Sequence, residues 1–258
     1  MSTHDHSEVL RAVRPPSAMA GVPVNYVVWK AAAWFGPAFI VGLLLFWGIV
    51  AGFVPPPRQD WTADETVKFF TDNNLGIRVG MVGTAVFAGF YFVWSAVISR
   101  IIQRIEGPDG ILSYIELMGG VTTTVVTFML AVVWLTAAFR MGARSAQDVQ
   151  TLYDLGWFIF NNTFIVTFLQ MVAFGIAMLI DKRRTPLFPA WLAWLGFAAA
   201  LSFLAVLLVP FVMDGPFAWH GLVSYWIALT AYFLWAVLAC FYVLRAVDTL
   251  RLEATAGT

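Results

Sequence analysis

The sequence predicts an all-α integral membrane protein, a bundle of six transmembrane helices with a short interfacial helix between the first two. Three observations carry that expectation. Hydrophobic residues make up 60% of the chain and charged residues only 12%, about half the roughly 25% charge of a soluble domain. Six apolar stretches each exceed the about 20 residues that cross a hydrocarbon core. Backbone groups in lipid must be satisfied inside their own segment, which makes those stretches helices.

Residues 1–29 form a polar tail with His4, His6, Arg11, Arg14 and the pair Pro15–Pro16, expected to be mostly disordered. The first apolar run starts near Ala31 and is long enough to span rather than be cleaved as a signal peptide. The membrane domain, 30–246, holds spans at 31–54, 77–99, 111–139, 152–180, 187–213 and 217–244. A second cytoplasmic tail is expected at 247–258. Spans much longer than the hydrocarbon core should tilt or project beyond it.

Most connections are short and make neighbouring spans antiparallel. The exception is "VPPPRQDWTADETVKFFTDNNLG", after the first span. Pro55–Pro57 end that span. Thr62 and Glu65 then form a capping-box pattern, T-x-x-E, and predict an interfacial helix over 63–73.

Basic residues set the orientation. Arg11, Arg14, Lys30, Arg100, Arg104, Lys182, Arg183, Arg184, Arg245 and Arg251 fall on one side. Arg58, Lys68, Arg78, Arg140 and Arg144 fall on the other. The larger group should be cytoplasmic, with both termini inside.

Gly76, Gly80, Thr84 and Ala88, each four apart, form a small-residue stripe suited to close helix approach. Gly119–Gly120 with Thr122, Thr123, Thr124 and Thr127 form another, read the same way. Tryptophans such as Trp34, Trp61, Trp191, Trp194 and Trp219 are expected in an interfacial belt. The first and fifth spans share a coarse pattern, "WFGPAF" beside "WLGFAA", without a convincing inverted repeat.

The fourth span carries the candidate site. "YDLGWFIFNNTFIVTFLQMVAFGIAMLIDKRR" keeps Asp154, Asn161, Asn162 and Gln170 in an otherwise apolar run. Asp154 and Asn161 are seven apart, hence on one face and about 10 Å apart along the axis. Such groups should face protein or water rather than lipid. An outward-facing ligand pocket lined by Asp154, Trp157, Asn161, Asn162 and His220 is one reading. Capping and interhelical hydrogen bonding are the other. Asp154 is expected to pair with Arg140 or Arg144. Glu116, in the third span, is expected to pair with Arg100 or Arg104, the alternative being a proton-carrying carboxylate.

Other classes are disfavoured. Fifteen basic and fifteen acidic residues leave no basic surface for nucleic acid. Cys240 is the only cysteine, so an intrachain disulfide is impossible. No phosphate loop and no H-E-x-x-H motif occur. His220 is the one histidine outside the tail, so a bis-histidine haem lacks a second ligand. Lys30, Lys68 and Lys182 lie outside span interiors and cannot serve a retinal-type Schiff base. Asn161-Asn162-Thr163 matches a glycosylation pattern but falls inside the bilayer. No metal and no cofactor is expected.

The stretch "FNNTFIVTFLQMVAFGIAMLIDKRRTPLFPAWLAWLGFAAALSFL" resembles the late part of a family of bacterial polytopic membrane proteins known as a domain of unknown function. The likeness rests on the segment after span one, the "NN" pair, and the basic turn before P-x-W-L-x-W-L-G. That family brings no established activity. The resemblance implies a bacterial inner-membrane location.

Three functions remain as expectations. The first is binding or passage of a small, largely apolar molecule. The second is an accessory subunit docked on a larger membrane complex or on a second copy. The third is an intramembrane enzyme with Asp154 and His220 as acid–base partners.

Overall fold

Asn25 starts the first helix: its Oδ1 accepts the amides of Val27 and Val28 at 3.1 and 3.2 Å. The computed structural model describes residues 24–256. His4, His6, Arg11 and Arg14 lie outside the described residues, and so does the expected disorder of the 1–23 stretch.

Helix α1 runs Tyr26–Val50, five residues earlier than the apolar run begins. It is interrupted at Trp34, three residues before Pro37, whose ring lacks an N–H and crowds the preceding turn. It widens to π geometry over Leu44–Val50. Helix α2, Ala63–Asp72, is the expected short helix. Glu65 N donates to Thr62 Oγ1 at 3.3 Å and Thr62 N to Glu65 Oε2 at 2.8 Å, completing the capping box.

Helices α3 (Asn74–Glu106), α4 (Leu112–Ala138), α5 (Ala146–Ile180), α6 (Ala190–Phe211) and α7 (Leu222–Ala256) complete the chain. With α1 they make six helices long and apolar enough to cross a membrane. Every described element is helical. The protein is an all-α, multi-pass integral membrane protein. Helix α5 loosens at Thr163, and the last nine residues of α6 tighten to 3₁₀ geometry.

The C-terminal stretch is helical as far as it is described. Described residues of 247–258 continue α7 through Ala256. Alanine, leucine, arginine and glutamate there favour helix. Lys30 also fastens this extension, donating to Leu244 O at 3.0 Å and to Asp248 Oδ2 at 2.6 Å.

Small residues set the helix approaches. A Cβ on Gly80 would lie 2.5 Å from Phe46 O, and one on Gly76 2.6 Å from Val50 O. The stripe on α3 therefore receives α1. Three hairpins also close through an indole seated on a glycine: Trp94 on Gly36, Trp134 on Gly156 and Trp235 on Gly196. Gly36 and Gly196 lie in the similar "WFGPAF" and "WLGFAA" segments, which gives that similarity a packing role. Trp219, expected in the interfacial belt, is instead 2% exposed.

The core has two layers. One, toward the end bearing Tyr26 and Ala256, is built around Phe39, Tyr91, Trp94, Phe174 and Trp235. The other, toward the end bearing α2, is built around Trp47, Phe53, Trp134, Trp157 and Trp219. We refer to these as the terminal end and the cap end.

Candidate functional site

The cap end is closed by two loops that Gln59 joins. Its Nε2 donates to Val209 O at 3.0 Å and Val212 O at 2.6 Å, and its Oε1 accepts Trp219 N at 2.8 Å. Its own N–H donates to His220 Nδ1 at 3.0 Å. An amide can only donate, so Nδ1 carries a lone pair and the neutral ring bears its proton on Nε2. Nε2 lies 3.1 Å from Asp214 Oδ1, which accepts its hydrogen bond.

Charge reinforces the cap. Arg58 grips Asp60 through two hydrogen bonds of 2.8 and 2.7 Å and reaches Asp214 at 3.3 Å. The Arg58 bond holds the Asp60 carboxyl below its ordinary range. Backbone donation at Gly215, then His220, does the same for Asp214. The backbone amide of Thr62 does it for Glu65. Arg58 is in turn pushed up by its bond to Asp60.

Beneath the cap lies an aromatic layer. Trp219 Nε1 donates to Pro57 O at 3.0 Å, Tyr153 Oη to Arg58 O at 2.7 Å and Tyr225 Oη to Phe53 O at 2.7 Å. These bonds fix the rings by their polar edges while their faces pack. Trp157, fully buried, contacts Trp134, Trp219, Tyr225 and Phe160.

One turn further along α5, a cavity of about 120 Å³ opens at the seam between the two core layers. Phe39, Trp47, Leu130, Phe160, Phe203 and Ala228 supply apolar wall, from α1, α4, α5, α6 and α7. Thr123, Thr127, Asn161, Thr167, Ser224 and Tyr232 supply the polar atoms. Several of these are spent locally. Thr127 donates to Thr123 O at 2.9 Å, Ser224 to Phe217 O at 3.0 Å, and the Thr123 and Thr167 hydroxyls share a bond of 2.9 Å. Asn161 Nδ2 donates to Trp157 O at 2.9 Å. Asn161 Oδ1 receives no hydrogen bond from the described residues. The result is a largely apolar chamber with an amide acceptor still available.

A polar knot lies toward the terminal end. Glu116 is 0% exposed. Its Oε1 accepts Ser95 Oγ at 2.7 Å and Gln170 Nε2 at 2.9 Å, and Gln170 Oε1 accepts Tyr91 Oη at 2.8 Å. Gly119 and Gly120 make room: a Cβ on Gly119 would lie 2.7 Å from Gln170 Cβ, and one on Gly120 would strike Ser95 Oγ. Glu116 Oε2 is buried without a partner among the described residues.

The expected site residues therefore divide. Asn161 lines the cavity, and Trp157 stands between it and the cap. His220 belongs to the cap network. Asn162 is exposed on the bundle surface, and half-buried Asp154 makes no hydrogen bond or ion pair among the described residues. The five do not form one pocket.

The expected ion pairs are replaced by other contacts. Arg144 Nε donates to Phe139 O at 3.2 Å, and Arg140 lies over the Phe139 ring, so neither meets Asp154. Glu116 bonds Ser95 and Gln170 rather than Arg100 or Arg104. Arg100 instead donates to Gln103 at 2.9 Å. Long arginine side chains near a span end turn to the surface rather than into the core. With both His220 nitrogens engaged by Gln59 and Asp214, an acid–base pair with Asp154 has no free ring nitrogen.

Sequence reading missed Gln59, Ser95 and Tyr91. Gln59 offers no signal in a polar loop. Tyr91 and Ser95, four apart on α3, share a face that could have been matched to Gln170.

Comparison of the chain with protein-family models, with curated proteins and with solved structures finds no match. Fold and site together define a six-span integral membrane protein with an aromatic cap over a small, partly open cavity.

Proposed function

We propose that this protein binds or passes a small, largely apolar molecule at the cavity beside Asn161, in a bacterial cytoplasmic membrane with both termini inside. The supporting observation is the about 120 Å³ chamber, walled by aromatic and aliphatic side chains, with the Asn161 Oδ1 acceptor unused. An apolar cavity of about 150 Å³ is large enough for benzene or xenon, so the guest is of single-ring size or smaller. The excess of basic residues at the terminal end supports the orientation.

The test is thermal unfolding of protein in nanodiscs with and without benzene. Ligand binding to the folded state raises the midpoint. Benzene should raise Tm of the parent and leave Ala228→Phe, whose new ring fills the chamber, unmoved. Equal shifts in both proteins would locate the effect in the lipid and refute the reading.

A second reading, docking onto a membrane partner or a second copy, draws on Asn162. Its amide is exposed near the middle of α5 without a hydrogen-bond partner among the described residues. An amide facing hydrocarbon gains from a helix that covers it. Cross-linking from Asn162→Cys in native membranes would capture such a neighbour, and only lipid adducts would discount it.

A further inference from the structure

Two arginines approach one aromatic ring at the cap end. Arg78 Cζ lies 5.9 Å and Arg140 Cζ 5.2 Å from the centroid of Phe139. Both arginines are exposed. Among the described residues neither guanidinium has a carboxylate or carbonyl partner. Arg78 lies one turn into α3, and Arg140 follows the last turn of α4, so both stand at the membrane boundary.

The backbone at Arg140 is left-handed, with φ 60°. Glycine takes that conformation freely and an arginine does not. The residue is there in spite of its backbone, which points to a use for the side chain.

A groove of about 850 Å³ runs between α1, α3 and α4, with Arg78 and Phe139 in its lining and Arg140 next to Phe139 in the chain. Leu75, Val79, Val82 and Val86 line it from one face of α3, with Phe46 and Leu135 on either side. Gly83 lets the Phe46 ring pack against α3 where a side chain would stand. From Arg78 to Val86 is about 12 Å along the helix, a length that an extended acyl chain can follow.

We propose that this groove binds a phospholipid, its acyl chain along Val79, Val82 and Val86 and its phosphate between Arg78 and Arg140. Guanidinium groups match phosphate oxygens with paired hydrogen bonds. Each guanidinium lies within 6 Å of the Phe139 ring centre, and the phosphate supplies the countercharge that the protein withholds. A second copy of this chain fits the groove less well. Two-fold pairing across it would bring four arginines together over a groove whose lining has no acidic residue.

Native mass spectrometry of the detergent-purified chain tests this with phosphatidylglycerol and with a diacylglycerol of the same chains. Phosphatidylglycerol should bind one per chain, and Arg78→Gln and Arg140→Gln should each weaken it about tenfold, as loss of a charge-assisted hydrogen bond does. Diacylglycerol, which lacks the phosphate, should bind at least about tenfold more weakly. Val82→Trp should also weaken phosphatidylglycerol, although both charges remain. Should Arg140→Gln fail to fold, Arg140→Gly removes the same group and relaxes the backbone. Unchanged affinity in the arginine variants, equal binding of diacylglycerol, or a dimer whose interface excludes lipid would each overturn the proposal.

Discussion

Trp157 and Trp219 stack with ring centroids 5.5 Å apart and planes 7° from parallel. The contact ties the middle of α5 to the loop before α7. Trp219 Nε1 also donates to Pro57 O and its backbone N–H to Gln59 Oε1, so one residue joins two loops and a helix. Trp219→Ala should cost about 3–5 kcal/mol, the range for deleting a large buried aromatic. Unfolding in a mixed-micelle denaturant titration measures it. A loss under about 1 kcal/mol would mean the cap closes without this ring.

Low pH should loosen the cap. Asp60, Asp214 and Glu65 have carboxyls held below their ordinary range by donors in the folded loops. Their contribution is present above the ordinary value and is lost as pH falls through the lowered one. Hydrogen exchange at the Gln59 and Trp219 amides should accelerate as pH falls below the ordinary carboxylate range, after correction for intrinsic rates. Asp214→Asn should flatten that profile. Protection independent of pH across this window would contradict the cap electrostatics.

Replacing Glu116 tests the buried knot. Glu116→Gln keeps an acceptor for Ser95 and Gln170 and should change stability by about 1 kcal/mol or less. Glu116→Leu removes the acceptor that Ser95 and Gln170 share, leaving Ser95 Oγ its 3.5 Å contact with the residue 116 carbonyl and Gln170 Nε2 its 3.3 Å contact with Ser95 Oγ, and should cost about 1–3 kcal/mol. Equal stability of the two variants in a thermal melt would mean that these hydrogen bonds contribute nothing.

The indole-on-glycine contacts should resist filling. A Cβ on Gly196 would lie 2.7 Å from Trp235 Nε1. Gly196→Leu should therefore destabilise by about 1–3 kcal/mol through overpacking, and Trp235→Ala in the same chain should recover part of it. Additive losses in that double-mutant cycle would show that the two residues do not share a site.

The spans and α2 were legible because hydropathy and a capping box are local signals. Helix ends were less so: Ser145 and Asn25 start α5 and α1 several residues before the apolar runs, on polar turns that hydropathy ignores. The site was only partly legible. Asn161 and Asn162 are adjacent, yet a rotation of about 100° per residue sends one into the bundle and leaves the other on its surface. Charge alone points Glu116 toward arginines, while its partners are set by two glycines that bring Ser95 and Gln170 within reach. Pairings across helices depend on rotation and depth, which a single sequence does not print.

Crystallography under xenon pressure addresses the central claim most directly, because xenon reports apolar space large enough for a guest. Xenon should occupy the chamber between Asn161, Thr167 and Tyr232 in the parent and be missing there in Ala228→Phe. A parent chamber without xenon, or filled by ordered water, would contradict an apolar binding site.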